Sequence, residues 1–334
     1  MRTALITTTI HKPEVLSLYR AHDPDVMFFV AGDLKTPAEA ADFCNEMDNC
    51  VYLTAHYQDG AYYKSSKLLG WNTDSRRNYA LLEAMRWKAD VIVSCDDDMI
   101  PNADNFFGEF NRACDTDPFW GLQLGLPNHW FDAGEFTIPK ARQRGIPVDA
   151  QCHSAPSFVH NVQIGAAQGI ILGVPDATAS EAIANRPHVH SGTDILHSGF
   201  VVHPKANAVF NSQLTAFRGE LAPAFAQFYF AQGRNTDIQA SLLMRRIMRQ
   251  RDLYTYFGPP LAYHARQSRP LLNDLRSEMI GNERMNEYAD YLNRAPLPAE
   301  GGVVDWCRIL AEGWKGPELE AAMAWYEDCE AVLK

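Results

Sequence analysis

The sequence predicts an α/β protein with a mostly parallel central sheet flanked by helices. In the first hundred residues, short apolar runs alternate with segments of helical periodicity, which is typical of strand–helix–strand units. A cluster of polar residues stands where each apolar run ends. Because ligands of such folds lie outside the carboxyl ends of the strands, these polar clusters are the first places to look for a site.

Four apolar runs are predicted as strands, at residues 4–9, 26–31, 51–55 and 90–95. Between the second and third runs, Thr36 is predicted to cap a helix that ends near Met47. Pro37 would occupy the first helical position and Glu39 would complete a capping box. A second helix is expected to begin near Thr73 or Asp74, since helical spacing relates Asn78, Leu81, Leu82 and Met85.

The rest of the chain divides into three regions. Residues 120–187 are rich in glycine, proline and aromatic residues with weak periodicity, which predicts loops and short mixed strands. Strand-like runs return over residues 188–210, and residues 235–251 form an amphipathic helix. Residues 271–334 are predicted to be a helical appendage with a break near residues 296–302.

Composition excludes several classes of protein. The chain has 334 residues, with 30 Lys and Arg against 41 Asp and Glu, so its formal net charge is −11. Hydrophobic residues at 46% argue against a disordered chain, and the acidic balance disfavours general binding to nucleic acid or anionic membranes. Seven cysteines form an odd set without a C-x-x-C pair, and no apolar window is long enough to span a bilayer. We therefore expect a cytoplasmic protein with reduced thiols and no membrane span.

The strongest local signal is Asp96-Asp97-Asp98, which directly follows the apolar run 90–95. In an extended chain, Asp96 and Asp98 project to one side and Asp97 to the other. Two carboxylates on one side suit Mg²⁺ or Mn²⁺ with positions left open for a diphosphate. The alternative is a solvated acidic turn. Because like charges at the end of a buried strand are costly without a cation, the sequence favours a metal site.

Two further signals suggest nucleotide binding. Arg76, Arg77 and Asn78 stand at the start of the second helix, where arginines oppose the helix dipole unless an anion lies nearby. Ordinary surface ion pairs are the alternative. Asp33 and Lys35 follow the second strand, where a nucleoside would lie, although Asp33 could simply serve the turn.

The remaining candidates are weaker on their own. Thr8 ends the first strand, as threonine often does. Asp237 stands in the first turn of the 235–251 helix, where it could accept a proton from an acceptor hydroxyl or serve only as part of the helix cap. His264 follows the turn at Phe257-Gly258-Pro259-Pro260, and a lone histidine is more often structural than a ligand.

In this order along residues 1–290, these pieces resemble nucleotide-diphospho-sugar transferases of the GT-A type. More narrowly, the chain is similar to the STELLO-type glycosyltransferases and, more distantly, to the reversibly glycosylated polypeptides, which are UDP-arabinopyranose mutases. The resemblance rests on the runs Gly32–Pro37, Arg76–Leu82, Asp96–Asp98, Arg234–Ser241 with Arg245-Arg246, and Phe257–Pro260.

The resemblance implies a GT-A fold over residues 1–270, with a nucleotide-binding half to residue 119 and an acceptor-side half after it. It implies a glycosyltransferase with a UDP- or other NDP-sugar donor and Mn²⁺ or Mg²⁺ as cofactor. Asp96 and Asp98, which match the D-x-D motif, would hold the metal together with His264. Arg77 and Asp237 would be catalytic, and the donor would be bound by Thr8, Asp33, Lys35, Arg76, Arg77, Asn78 and Asp97.

The chain departs from the STELLO pattern after Pro260. It has Tyr263-His264-Ala265-Arg266-Gln267 where an Arg-Asn-x-His run is expected. The alternatives are an NDP-sugar mutase and a catalytically silent sugar-nucleotide-binding scaffold. A glycan, a protein and a modified nucleic-acid base are all open as acceptors.

Overall fold

Helices cover both faces of one large sheet in the computed structural model, which describes residues 1–60, 63–115, 117–264 and 270–334. The strands in this part of the chain are β1 Thr3–Thr9, β2 Met27–Gly32, β3 Cys50–Leu53, β4 Val91–Cys95, β5 Met99–Pro101, β6 Phe119–Leu124, β7 Thr137–Ile138, β8 Ser157–Gly173, β9 Ser191–Gly192, β10 Phe200–Val202, β11 Leu214–Arg218 and β12 Leu253–His264.

The α-helices of the same residues are α1 Leu16–His22, α2 Glu39–Asn45, α3 Ala55–Gly60, α4 Arg77–Arg86, α5 Phe106–Cys114, α6 Ala179–Asn185, α7 Asp194–Ser198, α8 Tyr229–Gln232, α9 Thr236–Gln250, α10 Leu271–Arg294, α11 Val303–Trp314 and α12 Leu319–Leu333. Short 3₁₀ helices lie at Lys64–Leu68, Asp74–Arg76, Ala133–Phe136, Gly219–Phe225 and Gly233–Asn235.

The strand order places several strand ends at one edge of the sheet. The order is β3-β2-β1-β4-β11-β8-β6-β10-β12-β5, and β8 also pairs with β12. Strands β3, β2, β1 and β4 are all parallel. The antiparallel β11 separates β4 from β8, and β8 runs parallel to β12. The carboxyl ends of β1, β2, β4, β8 and β12 therefore share an edge, and the predicted α/β class is confirmed.

Burial on both faces explains why the parallel strands could be recognised from the sequence. All five residues of β4 are buried. One core cluster joins α4 and α9 to the sheet, and a second joins α1 and α5 to its other face. A strand covered on both sides needs apolar residues at every position, which gives the continuous apolar runs of the sequence.

The prediction for residues 120–187 is wrong in one major respect. This region contains β8, a strand of 17 residues in the middle of the sheet. Its central residues include Gly165 and Gly169, and a Cβ atom on Gly169 would lie 2.8 Å from Leu214 Cδ2. Close packing on both faces requires small residues here, so β8 shows neither alternation nor a run of large aliphatic residues.

Two smaller predictions also need correction. Residues 188–210 contain only the short strands β9 and β10, with helix α7 between them. Thr36 does not cap a helix, because its hydroxyl donates to Thr9 O at 2.6 Å and accepts from Asp33 N at 2.7 Å. The helix begins later, at Glu39, without a side-chain cap. Thr36 instead ties the end of β1 to the end of β2.

The C-terminal helical region is confirmed, with a break between α10 and α11 that contains Pro296 and Pro298. Trp325 and Tyr326 of α12 belong to the same core cluster as Met244 of α9, so these helices share the core of the preceding residues. The boundary proposed at residue 270 stays a prediction. In the described part of the chain, the helices are too short or too polar to cross a bilayer.

Candidate active site

A polar cleft of about 200 Å³ lies at the carboxyl edge of β1, β2 and β4. Its lining contains five carboxylates and, among the described residues, one basic side chain, that of Arg77. The lining residues are Thr8, Thr9, Ile10, Asp33, Asn72, Thr73, Asp74, Arg77, Asp96, Asp97 and Asp98. So much negative charge in a concave site attracts cations and repels a free anion.

The acidic triplet is a turn rather than an extension of β4. The strand ends at Cys95, and Met99 N donates to Asp96 O at 3.3 Å, which reverses the chain. The expected alternation is therefore wrong, since all three carboxylates line the cleft. Each has a different partner, namely Arg77 for Asp96, Thr9 for Asp97 and His264 for Asp98.

The middle carboxylate belongs to a half-buried residue, like that of Asp96, whereas Asp98 is exposed. Asp97 accepts a hydrogen bond from the Thr9 hydroxyl at the end of β1. Burial raises the pKa of Asp97 to about 6, and the negative charges of Asp96 and Asp98 add to the effect, whereas the Thr9 hydrogen bond opposes it. Asp97 thus ties the triplet to β1 rather than pointing away from Asp96 and Asp98.

Arg77 connects the triplet to the strand on the other side of β4. Its guanidinium forms an ion pair with Asp96 Oδ1 and donates to Ser212 O at 3.1 Å. Burial alone would lower the pKa of Arg77, but the carboxylates of Asp96 and Asp74 outweigh it and raise the pKa. Arg77 is therefore a fixed positive charge beside Asp96, with its side chain only 5% exposed.

His264, at the end of β12, meets Asp98 across the sheet. β12 pairs antiparallel with β5, in which Met99 directly follows Asp98 and lies opposite His264. The His264 Nε2 atom lies 2.9 Å from Asp98 Oδ2, and Nδ1 lies 2.9 Å from Val174 O. Since a carbonyl oxygen can only accept, Nδ1 carries a proton. Nε2 then faces a carboxylate oxygen, an arrangement that needs either a second proton or a cation between the two atoms.

The metal-coordinating atoms of the protein fit a divalent metal only if a bound substrate supplies further ligands. In the described residues, no three His, Cys, Asp or Glu side chains are grouped so as to hold a metal ion by themselves. Asp98 and His264 supply one oxygen and one nitrogen, and the Val174 carbonyl fixes the tautomer that leaves Nε2 free to bind. Two protein ligands plus phosphate oxygens and water are a common set for catalytic Mg²⁺ and Mn²⁺.

The other end of the cleft is built by the ends of β1 and β2. Asp33 accepts hydrogen bonds from Leu34 N at 2.6 Å and from Thr73 N at 3.2 Å. The Thr8 hydroxyl donates to Ala31 O at 2.9 Å. Asp33 therefore fixes the loop before α4 against β2 and presents a largely buried carboxylate to the cleft.

Three residues predicted to bind the donor are not brought into the cleft. Lys35 is exposed and lies outside the lining. Asn78 is buried in α4, where its side-chain NH₂ donates to Gln227 O and its side-chain oxygen accepts from Gln227 N, each at 2.9 Å. Arg76 is fully buried, stacks 3.6 Å above the Trp71 ring and donates to Gly70 O. Arg76 and Asn78 thus stabilise the surroundings of the cleft, whereas Arg77 lines it.

Asp237 lies in a buried ion-pair network rather than at an open surface. Both of its oxygens accept from Arg144, at 2.8 and 2.9 Å, and Oδ2 also accepts from Ser212 N at 3.0 Å. Arg144 donates at the same time to both oxygens of Asp176, each at 2.8 Å. With its oxygens held in this way, Asp237 positions Ser212, whose carbonyl in turn accepts from Arg77.

Several cleft residues were missed by the sequence analysis. Asp74 was noted only as the start of a helix, yet its carboxyl faces the cleft. Asn72, Thr73 and Thr9 also line the cleft. The available signal was the polar run of Asn72, Thr73 and Asp74 before the second helix, because these residues line the same cleft as Asp33 and the triplet.

A larger cavity of about 430 Å³ lies on the other face of the sheet against α5. Phe110, Trp120 and Tyr256 are among its lining residues. It does not include the acidic triplet, and its acidic Glu109 is paired with Arg112. Because the titratable groups converge in the smaller cleft, we place the candidate active site there.

No protein-family model matches the chain, and no curated protein matches it. Among solved structures it is similar to glucosyl-3-phosphoglycerate synthase from Mycobacterium tuberculosis. The complex of that enzyme with Mn²⁺ and UDP-glucose is 12% identical, with 85% of this chain and 78% of that chain covered and a TM-score of 0.46. The complex with Mg²⁺ and UDP is 10% identical, with 87% and 77% covered and a TM-score of 0.40. Nothing about this chain's substrates follows from similarities this low.

Proposed function

We propose that this chain is a metal-dependent glycosyltransferase of the GT-A type. It would transfer a sugar from an NDP-sugar, with UDP as the nucleotide, to an acceptor hydroxyl. The observation that carries the proposal is an acidic cleft at the carboxyl edge of parallel strands, which Asp98 and Arg77 both line, with His264 in contact with Asp98 and Arg77 paired with Asp96. An anion can enter a cleft with five carboxylates only together with a cation.

Asp98 and His264 would hold Mn²⁺ or Mg²⁺, and the diphosphate of the donor would complete the coordination. The mixed oxygen and nitrogen set suits Mn²⁺, whereas Mg²⁺ prefers oxygen alone. When bound, the ion supplies Lewis-acid stabilisation of the charge on the leaving diphosphate. Asp96, which is paired with Arg77, would contact the ion or its water ligands after that ion pair rearranges.

Arg77 would stabilise the departing nucleoside diphosphate. In the reaction, the bond from the anomeric carbon to the diphosphate oxygen breaks and a bond to the acceptor oxygen forms, with release of the acceptor proton. Negative charge then grows on the diphosphate, beside a buried guanidinium that Ser212 O and Asp96 already hold in place. A preorganised positive charge is worth more in such a site than in water.

The nucleoside would occupy the end of the cleft formed by Asp33, Asn72 and Thr73. The Asp33 carboxylate would accept a hydrogen bond from a base or ribose, and Thr8 would also line this cleft.

The seven free cysteines of the described chain support the cytoplasm as the site of action.

The proposal is tested by donor turnover. Purified protein is incubated with UDP-sugars and Mn²⁺, and UDP release is measured with and without EDTA. We expect metal-dependent hydrolysis in the wild type and its loss in Asp98→Asn, while the exposed Asp104→Asn serves as a matched control. An isomeric UDP-sugar as the product would show a mutase. Tight binding with no turnover in any condition would show a silent scaffold, and either result would overturn the proposal.

A further inference from the structure

A second, smaller cavity lies next to the cleft on the acceptor side of the sheet. It encloses about 30 Å³ and is lined by Gly134, Thr137, Ala141, Gln143, Gln168, Gly169, Ile170, Ile171, Pro175, Asp176 and Asn211. Asn211 precedes Ser212, whose carbonyl accepts from Arg77, and Pro175 follows Val174, whose carbonyl faces His264. The cavity thus lies between the chain segments that hold the two ends of the proposed diphosphate site.

One buried polar atom in this cavity has no protein partner. Gln168 of β8 is 3% exposed, and its Oε1 atom has no hydrogen-bond partner in the described chain. Gln168 lies opposite Thr215 of β11, whose hydroxyl donates to Asn211 O at 2.6 Å. Residues directly paired across strands point to the same face, so the Gln168 side chain is on the Asn211 side of the sheet. A buried amide oxygen without a partner is costly and indicates a missing donor.

The other two amides of the cavity offer donors. Gln143 Oε1 already accepts from Ala133 N at 3.0 Å. Asn211 Oδ1 already accepts from Gln213 N at 3.1 Å and Leu214 N at 3.3 Å. The Asn211 oxygen is therefore saturated, and both side chains can offer their NH₂ groups to a ligand near the unpaired oxygen of Gln168.

The arginines nearby are not available to bind an anion. Arg144 is shared by Asp176 and Asp237, and Arg234 is paired with Glu278 and lies within 4 Å of Asp274 and Asp176. Two cations among four acids leave this cluster with a formal charge of 2 − 4 = −2. A phosphate or carboxylate would be repelled, and no Lys or Arg is among the described residues that line the cavity.

From these observations we infer that Gln143, Gln168 and Asn211 form an acceptor subsite for the hydroxyl edge of an uncharged sugar or polyol. A hydroxyl both donates and accepts, which matches a site with one free oxygen and several NH₂ groups, whereas an anion only accepts and an ammonium only donates. About 30 Å³ holds roughly two water-sized groups, so a hydroxyl or hydroxymethyl group fits and a phosphoryl group does not. This inference rests on the proposed function.

The acceptor class is tested on the wild type with matched neutral and charged acceptors. UDP release from the active UDP-sugar is measured with methyl glycosides of glucose, galactose and mannose and with glycerol, against glucose 6-phosphate and 3-phosphoglycerate. We expect at least one neutral compound to stimulate release severalfold and to yield a glycosylated product, with no stimulation by the anions. An anion that serves as well as its neutral counterpart, or no stimulation by any neutral compound, would overturn the inference.

Variants of Gln168 locate the subsite. Gln168→Leu should raise the KM for the neutral acceptor at least tenfold with a smaller change in kcat, and Gln168→Glu should do the same at neutral pH. Gln123→Leu, at a half-buried position of β6 outside the lining of the cavity, is the matched control and should leave both parameters unchanged. An unchanged acceptor KM in a folded Gln168→Leu protein would reject this subsite. Absence of hydrolysis without any acceptor would instead count against the proposed function.

Discussion

His264 Nε2 lies 2.9 Å from Asp98 Oδ2, although 166 positions separate the two residues in the sequence. The antiparallel pairing of β5 with β12 brings them together, because Met99 lies opposite His264. The contact places the buried imidazole of His264 against a carboxylate that lines the acidic cleft. In the proposed function, these two side chains would be the protein's ligands to the metal.

Arg77→Lys should lower kcat for UDP-sugar turnover by roughly 10²–10³, because lysine keeps the charge but cannot hold Asp96 and Ser212 O with one planar group. Steady-state kinetics of UDP release measure the change. Arg112→Gln, whose guanidinium side chain is 75% exposed on α5, is the control and should be silent. A kcat within threefold of the wild type would mean that Arg77 does not contact the reacting group.

Asp237→Asn distinguishes a positioning role from a catalytic base. The buried Arg144 loses one of its two carboxylate partners, so we expect a loss of about 3 kcal/mol in the free energy of unfolding. The pH dependence of kcat should keep its shape, since the oxygens of Asp237 are held by Arg144 and Ser212. A stable variant that loses the acidic limb of its pH profile and about a thousandfold in kcat would identify Asp237 as the base.

The C-terminal helix α12 should stabilise the loop that leads to the cleft. Asp328, 2% exposed, accepts hydrogen bonds from Lys64 N at 2.7 Å, Ser65 N at 2.9 Å and the Ser65 hydroxyl at 2.6 Å. Asp328→Ala should cost about 3 kcal/mol of stability in denaturant unfolding and raise the donor KM.

The neighbouring Glu327→Gln is the matched control for this variant. Glu327 pairs with Lys64 in an exposed ion pair, which contributes little, so the unfolding curve of Glu327→Gln should match that of the wild type. Equal effects of the two variants would show that Asp328 is not an anchor of the loop.

Asp132 should make the protein less stable as the pH rises. Burial raises the pKa of Asp132 to about 6, against the hydrogen bonds from Gly134 N and Gln143 N. Below pH ~4 the carboxyl is protonated in both the folded and unfolded states; between pH ~4 and ~6 only the unfolded state ionises, so stability falls. Above pH ~6 the carboxyl is ionised in the folded state as well, and burial of this charge lowers the free energy of unfolding by up to about 3 kcal/mol.

Removal of this charge should therefore stabilise the folded protein only at neutral pH. Asp132→Asn retains an oxygen for both backbone donors, and we expect its Tm to rise at pH 7.5 and to change little at pH 4. Thermal unfolding at the two pH values measures the difference, with the exposed Asp149→Asn as the control. A shift of equal size at both pH values would contradict the assignment.

Much of the fold follows from local pattern, because the strands with continuous apolar runs are buried on both faces. β1 and β4 were predicted to within a residue or so at each end, as was α9. β8 could not be predicted, since close packing filled its centre with glycine and alanine. The Thr36 cap failed because the hydroxyl had a competing partner at the end of β1, which only the pairing of β1 and β2 reveals.

Sequence reasoning selected Asp33 and the acidic triplet because both follow predicted strand ends, and Arg77 because it stands at the start of the second helix; all of them line the cleft. It could not separate Arg76 from Arg77, since both precede the same helix and only the helix orientation decides. It also could not pair His264 with Asp98 through local pattern; the family resemblance alone pointed there. The roles assigned to these residues stay predictions until they are tested by mutation.

Binding of Mn²⁺ in the presence and absence of UDP tests the central claim most directly. Titration of the wild type, Asp98→Asn and His264→Gln by calorimetry or by the electron paramagnetic resonance of free Mn²⁺ gives the affinities. We predict that UDP tightens Mn²⁺ binding at least tenfold in the wild type and that Mn²⁺ tightens UDP binding by the same factor. Each variant should bind Mn²⁺ about 10–100-fold more weakly. Mn²⁺ affinity that is unaffected by UDP and by both substitutions would contradict the account.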